Sequence, residues 1–259
     1  MAGIFKRVEK KYLLNDMQKQ ALIKRIAGRI EEDVYSRYSI SNIYFDTKDN
    51  KLIRESLDKP VYKEKLRLRS YGTPEDEDMV FLEMKKKWKA VVYKRRIELP
   101  YRVAVDYIEK GIYPEEYDCQ ILREIDYMIK YHGLRPDTYL AYDRIAYVVS
   151  DDKNIRFTID ERIRSRKSEL MLSAGDQGEL LMEEGMSLLE IKAPGALPVW
   201  FVQILSDLKI YSTSFSKYGR VYLEGLRENI KQKEDNICLH HIYLIRQASL
   251  QQAEHLSAL

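Results

Sequence analysis

Lys63, Lys65, Arg67 and Arg69 occupy alternate positions of the segment YKEKLRLRSY (62–71). In a strand that spacing sends all four to one face and Glu64, Leu66, Leu68 and Ser70 to the other. The device recurs. Phe81, Glu83, Lys85 and Lys87 share a face in VFLEMKKK (80–87), and Lys94, Arg96 and Glu98 share one in YKRRIEL (93–99). Tyr142 pairs with Arg144 in LAYDRIAYV (140–148), and Arg156 and Thr158 with Asp160 in IRFTID (155–160). Glu190 and Lys192 line up in LLEIK (188–192). A solvated outer face would explain any one of these strands. It does not explain six, because like charges in a row and on neighbouring strands repel, and a surface shaped for solubility mixes its signs. A bound anion would supply the missing counter-charge. Arginine suits phosphate, since its planar fork makes two parallel bonds and keeps its charge when partly buried. The sparse glutamates Glu9, Glu83, Glu98 and Glu190 offer hard oxygens that Mg²⁺ or Mn²⁺ could share with a phosphate. Ion pairing with basic neighbours is the standing alternative for Glu9, Glu83 and Glu98.

The elements that must position these residues read as α+β. Strands are expected at 6–14, 41–47, 62–71, 80–87, 91–99, 139–149, 155–159 and 188–192, with a strand pair somewhere in 165–182. Helices are expected at 16–30 after Asn15 or Asp16, at 102–110, at 116–131 before Gly133, at 197–208, and at 217–228 behind Ser216. The strands are not each followed by a helix, so a doubly wound parallel sheet is excluded and an antiparallel one expected. If that sheet closes into a barrel with the basic face inward, the result is a cationic tunnel whose apolar outside is covered by the helices.

Composition sets the bounds. The chain has 259 residues, with 44 Lys+Arg against 41 Asp+Glu and a net charge of +3. So small an excess argues against nucleic-acid binding, and no recognition helix or RNA-binding signature is present. No apolar run reaches the ~18 residues a membrane span needs, and MAGIFKRVEKKYLL holds no signal-peptide core. Cys119 and Cys238 cannot make a disulfide framework and have no metal-ligand spacing, so a reducing, cytoplasmic setting is expected. His132, His240, His241 and His255 read as structural or solvated, Trp88 and Trp200 as packing residues, and Cys119 as a small core residue within a helix. Residues 1–228 form the expected domain. The tail 229–259, Gln-rich with the apolar patch ICLHHIYLI (237–245), carries no assigned role.

Taken in order, KYLL (11–14), YFDT (44–47), YKEKLRLRSYG (62–72), FLEMKKK (81–87), YDRIAY (142–147), RFTIDERI (156–163), LEIK (189–192) and SFSKYG (214–219) resemble the VTC (vacuolar transporter chaperone) domain. That family belongs to the triphosphate tunnel metalloenzymes, which include the CYTH domains. The resemblance runs from about residue 7 to 222. It implies an antiparallel β-barrel around a basic tunnel for triphosphate or polyphosphate. It implies ATP and polyphosphate as ligands and a divalent metal (Mn²⁺ or Mg²⁺) as cofactor. By position, Lys11, Arg67, Arg69, Lys85, Arg144, Arg156 and Lys217 match the basic phosphate-binding residues. Tyr142 and Ser216 match supporting contacts, Glu190 matches the metal-binding glutamate, and Lys63 and Lys192 are weaker matches. CYTH domains open with Glu-x-Glu-x-Lys. Here the stretch is Arg7-Val8-Glu9-Lys10-Lys11, so one metal ligand is replaced by a cation. That disfavours a two-metal hydrolase and suits the VTC group, which makes polyphosphate from ATP.

The expected reaction is therefore transfer of the ATP γ-phosphate to a growing polyphosphate chain. Hydrolysis of tripolyphosphate or polyphosphate, and polyphosphate binding without turnover, are the alternatives. Coupling to transport would need a membrane-protein partner, which would bring the protein to the inner face of a membrane.

Overall fold

The computed structural model describes residues 8–89 and 91–232. It divides into a compact unit through Gly219 and a second unit from Arg220. In the second, residues 220–232 are helical, with Arg220 bonded to Glu224 one turn on. Arg7 and the patch 237–245, with Cys238, His240, His241 and His255, lie outside the described residues.

The first unit is built on one ten-stranded antiparallel sheet. Its strands are β1 (Val8–Leu14), β2 (Ile30–Asp46), β3 (Tyr62–Tyr71), β4 (Met79–Trp88), β5 (Val91–Pro100), β6 (Arg135–Val149), β7 (Arg156–Arg166), β8 (Glu179–Leu180), β9 (Ser187–Ala193) and β10 (Ser212–Thr213). They run in the order β10-β1-β9-β7-β6-β2-β3-β4-β5, with β8 alongside β7. The sheet does not close, so the expected barrel is corrected to an open sheet. Closure would need β5 to pair with the far edge, but that edge is the two-residue β10, too short to zip a long partner. β5 itself carries Lys94, Arg95 and Arg96, and charge on an edge strand discourages further pairing.

Five helices accompany the sheet: α1 (Asp16–Ile26), α2 (Lys51–Leu57), α3 (Tyr101–Lys110), α4 (Gln120–His132) and α5 (Val199–Asp207). Residues 217–219 open a further helical turn. Asn15 caps α1 with a reciprocal box. Its side chain accepts from the Gln18 amide at 2.8 Å, and the Gln18 side chain accepts from the Asn15 amide at 3.2 Å. Gly133 stops α4 at φ 63°, a left-handed value that costs glycine nothing. Cys119 is not inside that helix but precedes it, its Sγ accepting from the Leu122 amide at 3.5 Å.

The apolar strand faces and the helices form two cores. Leu66, Leu68, Leu82 and Met84 pack with Ala104 and Tyr107 of α3 and with Leu122, Ile125 and Met128 of α4. Phe157, Ile159, Leu189 and Ile191 pack with Leu22 and Ile26 of α1 and with Phe201 and Leu205 of α5. Each fully buried side chain of this kind contributes roughly 1.5–3 kcal/mol of transfer free energy. Burying these faces under helices leaves the alternate, charged faces to turn toward each other. Trp200 packs, stacked on Phe201 at 5.1 Å. Trp88 does not, being 50% exposed.

Candidate functional site

Register brings the charged residues of six strands onto one face. Arg67 stands opposite Tyr44 and Glu83, Arg144 opposite Asp160, and Glu190 opposite Lys11 and Thr158. β1 and β3 are five strands apart in the sheet order. At about 4.8 Å per strand a flat sheet would separate them by roughly 24 Å. Yet the charge of Lys11 on β1 acts on Lys65 on β3. Phe215 to Tyr218 make the crossing visible. The Tyr218 ring stacks on Tyr44 of β2 with centroids 4.5 Å apart, and Lys65 lies 5.7 Å above it. One residue earlier, Lys217 reaches Asp160 of β7 at 2.5 Å and Glu190 of β9 at 3.1 Å. The sheet therefore curls with its basic face inward, though its edges stay unjoined.

Two ion clusters line this face. In the first, Glu83 is 2% exposed and sits among Arg67 (2.6 Å), Lys94 (2.8 Å) and Arg69 (3.9 Å). Arg67 Nη1 also donates to the Tyr44 hydroxyl at 3.1 Å. Arg69 donates to Asn42 Oδ1 at 2.9 Å and to the Tyr142 hydroxyl at 3.2 Å. Burial would raise the Glu83 carboxyl, but Arg67, Arg69 and Lys94 outweigh it and hold the group down to about 2.

In the second, the buried Asp160 accepts two bonds from Arg144, at 2.6 and 2.8 Å. Lys217 bridges Asp160 to Glu190, and Lys11 adds a contact to Glu190 at 3.2 Å and donates to the Phe215 carbonyl at 3.0 Å. Burial opposes ionisation of both carboxylates, yet Lys217 and Arg144 hold Asp160 low, and Lys217, Lys11 and Arg144 hold Glu190 low. The same carboxylates raise Lys217 against its own burial.

These depressed carboxylates carry a pH signature. Each stabilises the fold fully above the usual carboxylate range near 4, and loses that contribution as pH falls through its own depressed value. Urea midpoints are expected to fall steeply between about pH 4 and pH 2, the window set by Glu83. A flat profile across that window would contradict the clusters.

Beside the clusters stand cations that no carboxylate answers. Lys65 has none within ion-pair distance among the described residues. Its burial, reinforced by Lys63, Lys85 and Lys11, draws it down to about 8. Lys63 donates to the Ser56 carbonyl at 3.0 Å and is lowered by burial and by Lys87, Lys85 and Lys59. Lys192 is not of this kind: burial lowers it, but Glu190, Glu9 and Asp160 act on it in the opposite sense.

Of the residues marked out by sequence, Lys11, Arg67, Arg69, Tyr142, Arg144, Glu190, Lys192 and Lys217 gather on the enclosed face, with Lys63 near one end. Lys85 is exposed but stands opposite Lys65 in register. Arg156 is not enclosed: as the first residue of β7 it is exposed at the rim. Ser216 is exposed, and its hydroxyl accepts from the Gly219 amide at 3.2 Å as a helix cap. Asp160, Lys65, Lys94, Tyr44, Asn42 and Tyr218 also belong to the site. Strand alternation marks Asp160, Lys65 and Lys94, since each shares parity with a named basic residue of its own strand, whereas Asn42 and Tyr44 are placed only by their register opposite Arg69 and Arg67. Nothing in the sequence singles out Tyr218, whose hydroxyl donates to Asp46 at 2.9 Å and to Asp137 at 3.0 Å. Glu98 is exposed, and Glu9 lies 3.5 Å from Lys11.

Among the described residues no group of three or more His, Cys, Asp or Glu side chains could hold a metal alone. The donors around Glu190 fit a shared ion instead. Glu190 Oε1 takes Lys11 and Lys217, whereas Oε2 meets only Arg144, at 3.8 Å. Its register partner Thr158 has a buried hydroxyl with no hydrogen-bond partner. One carboxylate completed by phosphate oxygens and water is a common Mg²⁺ environment.

The VTC domain model matches residues 6–223. No curated protein matches the chain. Among solved structures, a candidate adenylate cyclase from Bacillus halodurans matches with a TM-score of 0.50 at 18% identity, covering 81% of this chain and 93% of that one. A candidate adenylyl cyclase from Hippeastrum, with a dominant triphosphatase activity, gives 0.49 at 14% identity over 85% and 96%. The first of these likenesses shows a shared fold. No helix of the described residues is long and apolar enough to cross a membrane.

Proposed function

The chain belongs to the VTC domain family, and from that premise we propose that it is a polyphosphate polymerase, transferring the γ-phosphate of ATP to the end of a polyphosphate chain. The observation that carries this reading is Lys65: a half-buried lysine facing Lys63, Lys85 and Lys11 with no carboxylate within ion-pair distance among the described residues. Such a surplus calls for a multivalent anion, and a phosphate chain places a negative charge on every repeat. Arg67, Arg69 and Arg144 hold the triphosphate, and their anchors Glu83, Asn42, Tyr142 and Asp160 fix the forks before substrate arrives. The terminal phosphate of the acceptor is already ionised. It attacks the γ-phosphorus in line, a new P–O–P bond forms, and ADP leaves with the electrons of the broken bond. No general base is needed, so positioning and charge neutralisation are what this chain supplies. Glu190 would hold a divalent ion, which when bound neutralises phosphate charge.

The test is purified protein with ATP and Mn²⁺. Accumulation of an acid-stable phosphate polymer supports the reading, and release of orthophosphate without polymer replaces it with a hydrolase.

Lys65 adds a pH prediction. It is charged below about 8 and neutral above. Tyr44 also titrates near 8: burial would raise it, but Arg67, Arg69 and Lys65 outweigh that. Polyphosphate affinity is therefore expected to fall as pH rises through 8, with Lys65→Arg flattening the fall and Tyr44→Phe flattening it further. Calorimetric titration between pH 7 and 9.5 checks this. Stability moves the other way, because the folded lysine releases its proton before the unfolded one does, and the strain of burying its charge is relieved as pH rises.

A further inference from the structure

We propose that the end of β4 and the start of β5, together with the start of β3, form a docking tip for the anionic headgroups of a lipid bilayer. It lies at the strand ends beyond the two ion clusters, where the inner face finishes in Lys63, Lys87 and Val92. Tyr62, Trp88, Val91, Val92 and Tyr93 are each 44–53% exposed and meet at one end of three adjacent strands. Register sets Tyr62 opposite Trp88, and Trp88 opposite Val91. Tyr62, Trp88, Val91 and Tyr93 share the outer face but lie beyond the part that α3 and α4 cover, where Leu66, Leu82, Met84 and Leu99 are buried. Val92 shares the inner face with its partner Lys87. The outer face of this tip is aromatic and apolar, while the inner face sets Val92 beside Lys63 and Lys87, so a surface that is apolar within and anionic at its boundary answers both. Trp and Tyr are the side chains that settle at a water–lipid boundary, with apolar bodies and polar tips.

Charge selects the kind of surface. Lys63 and Lys87 stand directly opposite each other. Lys59 is close enough to act on Lys63. Lys86 neighbours Tyr93 in register, and Lys89 folds over the Trp88 ring at 4.7 Å. A second copy of this chain would bring lysine against lysine, whereas anionic lipid would neutralise them.

Flotation of the full chain with phosphatidylcholine vesicles, with and without phosphatidylserine and in the absence of nucleotide, metal and polyphosphate, tests the inference. Binding is expected only with the anionic lipid and should fade with salt. Lys59→Ala and Lys89→Ala should each weaken it about fivefold. Trp88→Ser with Val92→Ser should abolish it while leaving the melting temperature and polyphosphate binding in place. In the unaltered chain, brominated lipid should quench tryptophan emission, and Trp88→Phe should remove the quenching. Absence of vesicle binding, equal binding to neutral vesicles, or capture by polyglutamate alone would overturn the inference, the last in favour of an acidic protein. Loss of vesicle binding in Arg69→Ala would overturn it too, by placing the headgroups on the inner face.

Discussion

Arg69→Ala is expected to reduce polymer synthesis at least ~100-fold, on the scale of removing one preorganised donor from a developing phosphate charge. The guanidinium is 7% exposed, and its bonds to Asn42 and Tyr142 hold it without substrate. Truncation deletes a charge that is already oriented, and a replacement would have to be recruited from mobile lysines. The fold should survive, because Glu83 keeps Arg67 and Lys94 as partners. Arg67→Ala should be as damaging to synthesis. Lys10→Ala is the control: Lys10 is exposed on the opposite side of β1 from Lys11 and should matter little. Radiolabelled ATP incorporation, with circular dichroism for the fold, measures all three. Near-normal synthesis in Arg69→Ala would remove the inner face from the mechanism.

Asp160→Asn should have the largest effect on stability. The carboxylate is fully buried and answers Arg144 through two bonds and Lys217 through one. Deleting one partner of a buried ion cluster typically costs about 3–5 kcal/mol, because the remaining charges stay desolvated. For a chain of this size that corresponds to a fall in melting temperature on the order of 10 °C. The cluster also predicts a rescue. Tripolyphosphate should raise the melting temperature of Asp160→Asn more than that of the unaltered protein, since the anion now neutralises cations left unanswered. Equal shifts in the two proteins would mean that the ligand does not reach Arg144 and Lys217.

Much of this face was legible from parity alone. Where a strand alternates strictly, as at 62–71, the residue types name both core and site. Alternation is silent on closure, however. It predicted which face Arg67 shares with Lys65 but not whether β5 meets the far edge, which depends on a two-residue strand after α5 that leaves almost no pattern. It also missed the first half of β2, where Ile30–Ile40 alternates poorly and the pairing with β6 slips between Glu32 and Arg37. Arg156 had the right parity and the wrong depth, because parity does not say how far along a strand enclosure extends. Within 165–182 the strand pair is the end of β7, through Arg166, against the two-residue β8, with Ser165 opposite Glu179. Arg7, which stands where the CYTH pattern has its first glutamate, lies outside the described residues.

The unjoined edges have a mechanical consequence. In a closed barrel, strand number and shear set the diameter. Here no hydrogen-bonded ring enforces a girth, and Lys217, reaching over to Asp160 and Glu190, acts as an electrostatic drawstring. Concentrated salt should slacken it, so that the cradle widens when its ions are screened and tightens around whatever cargo restores their balance.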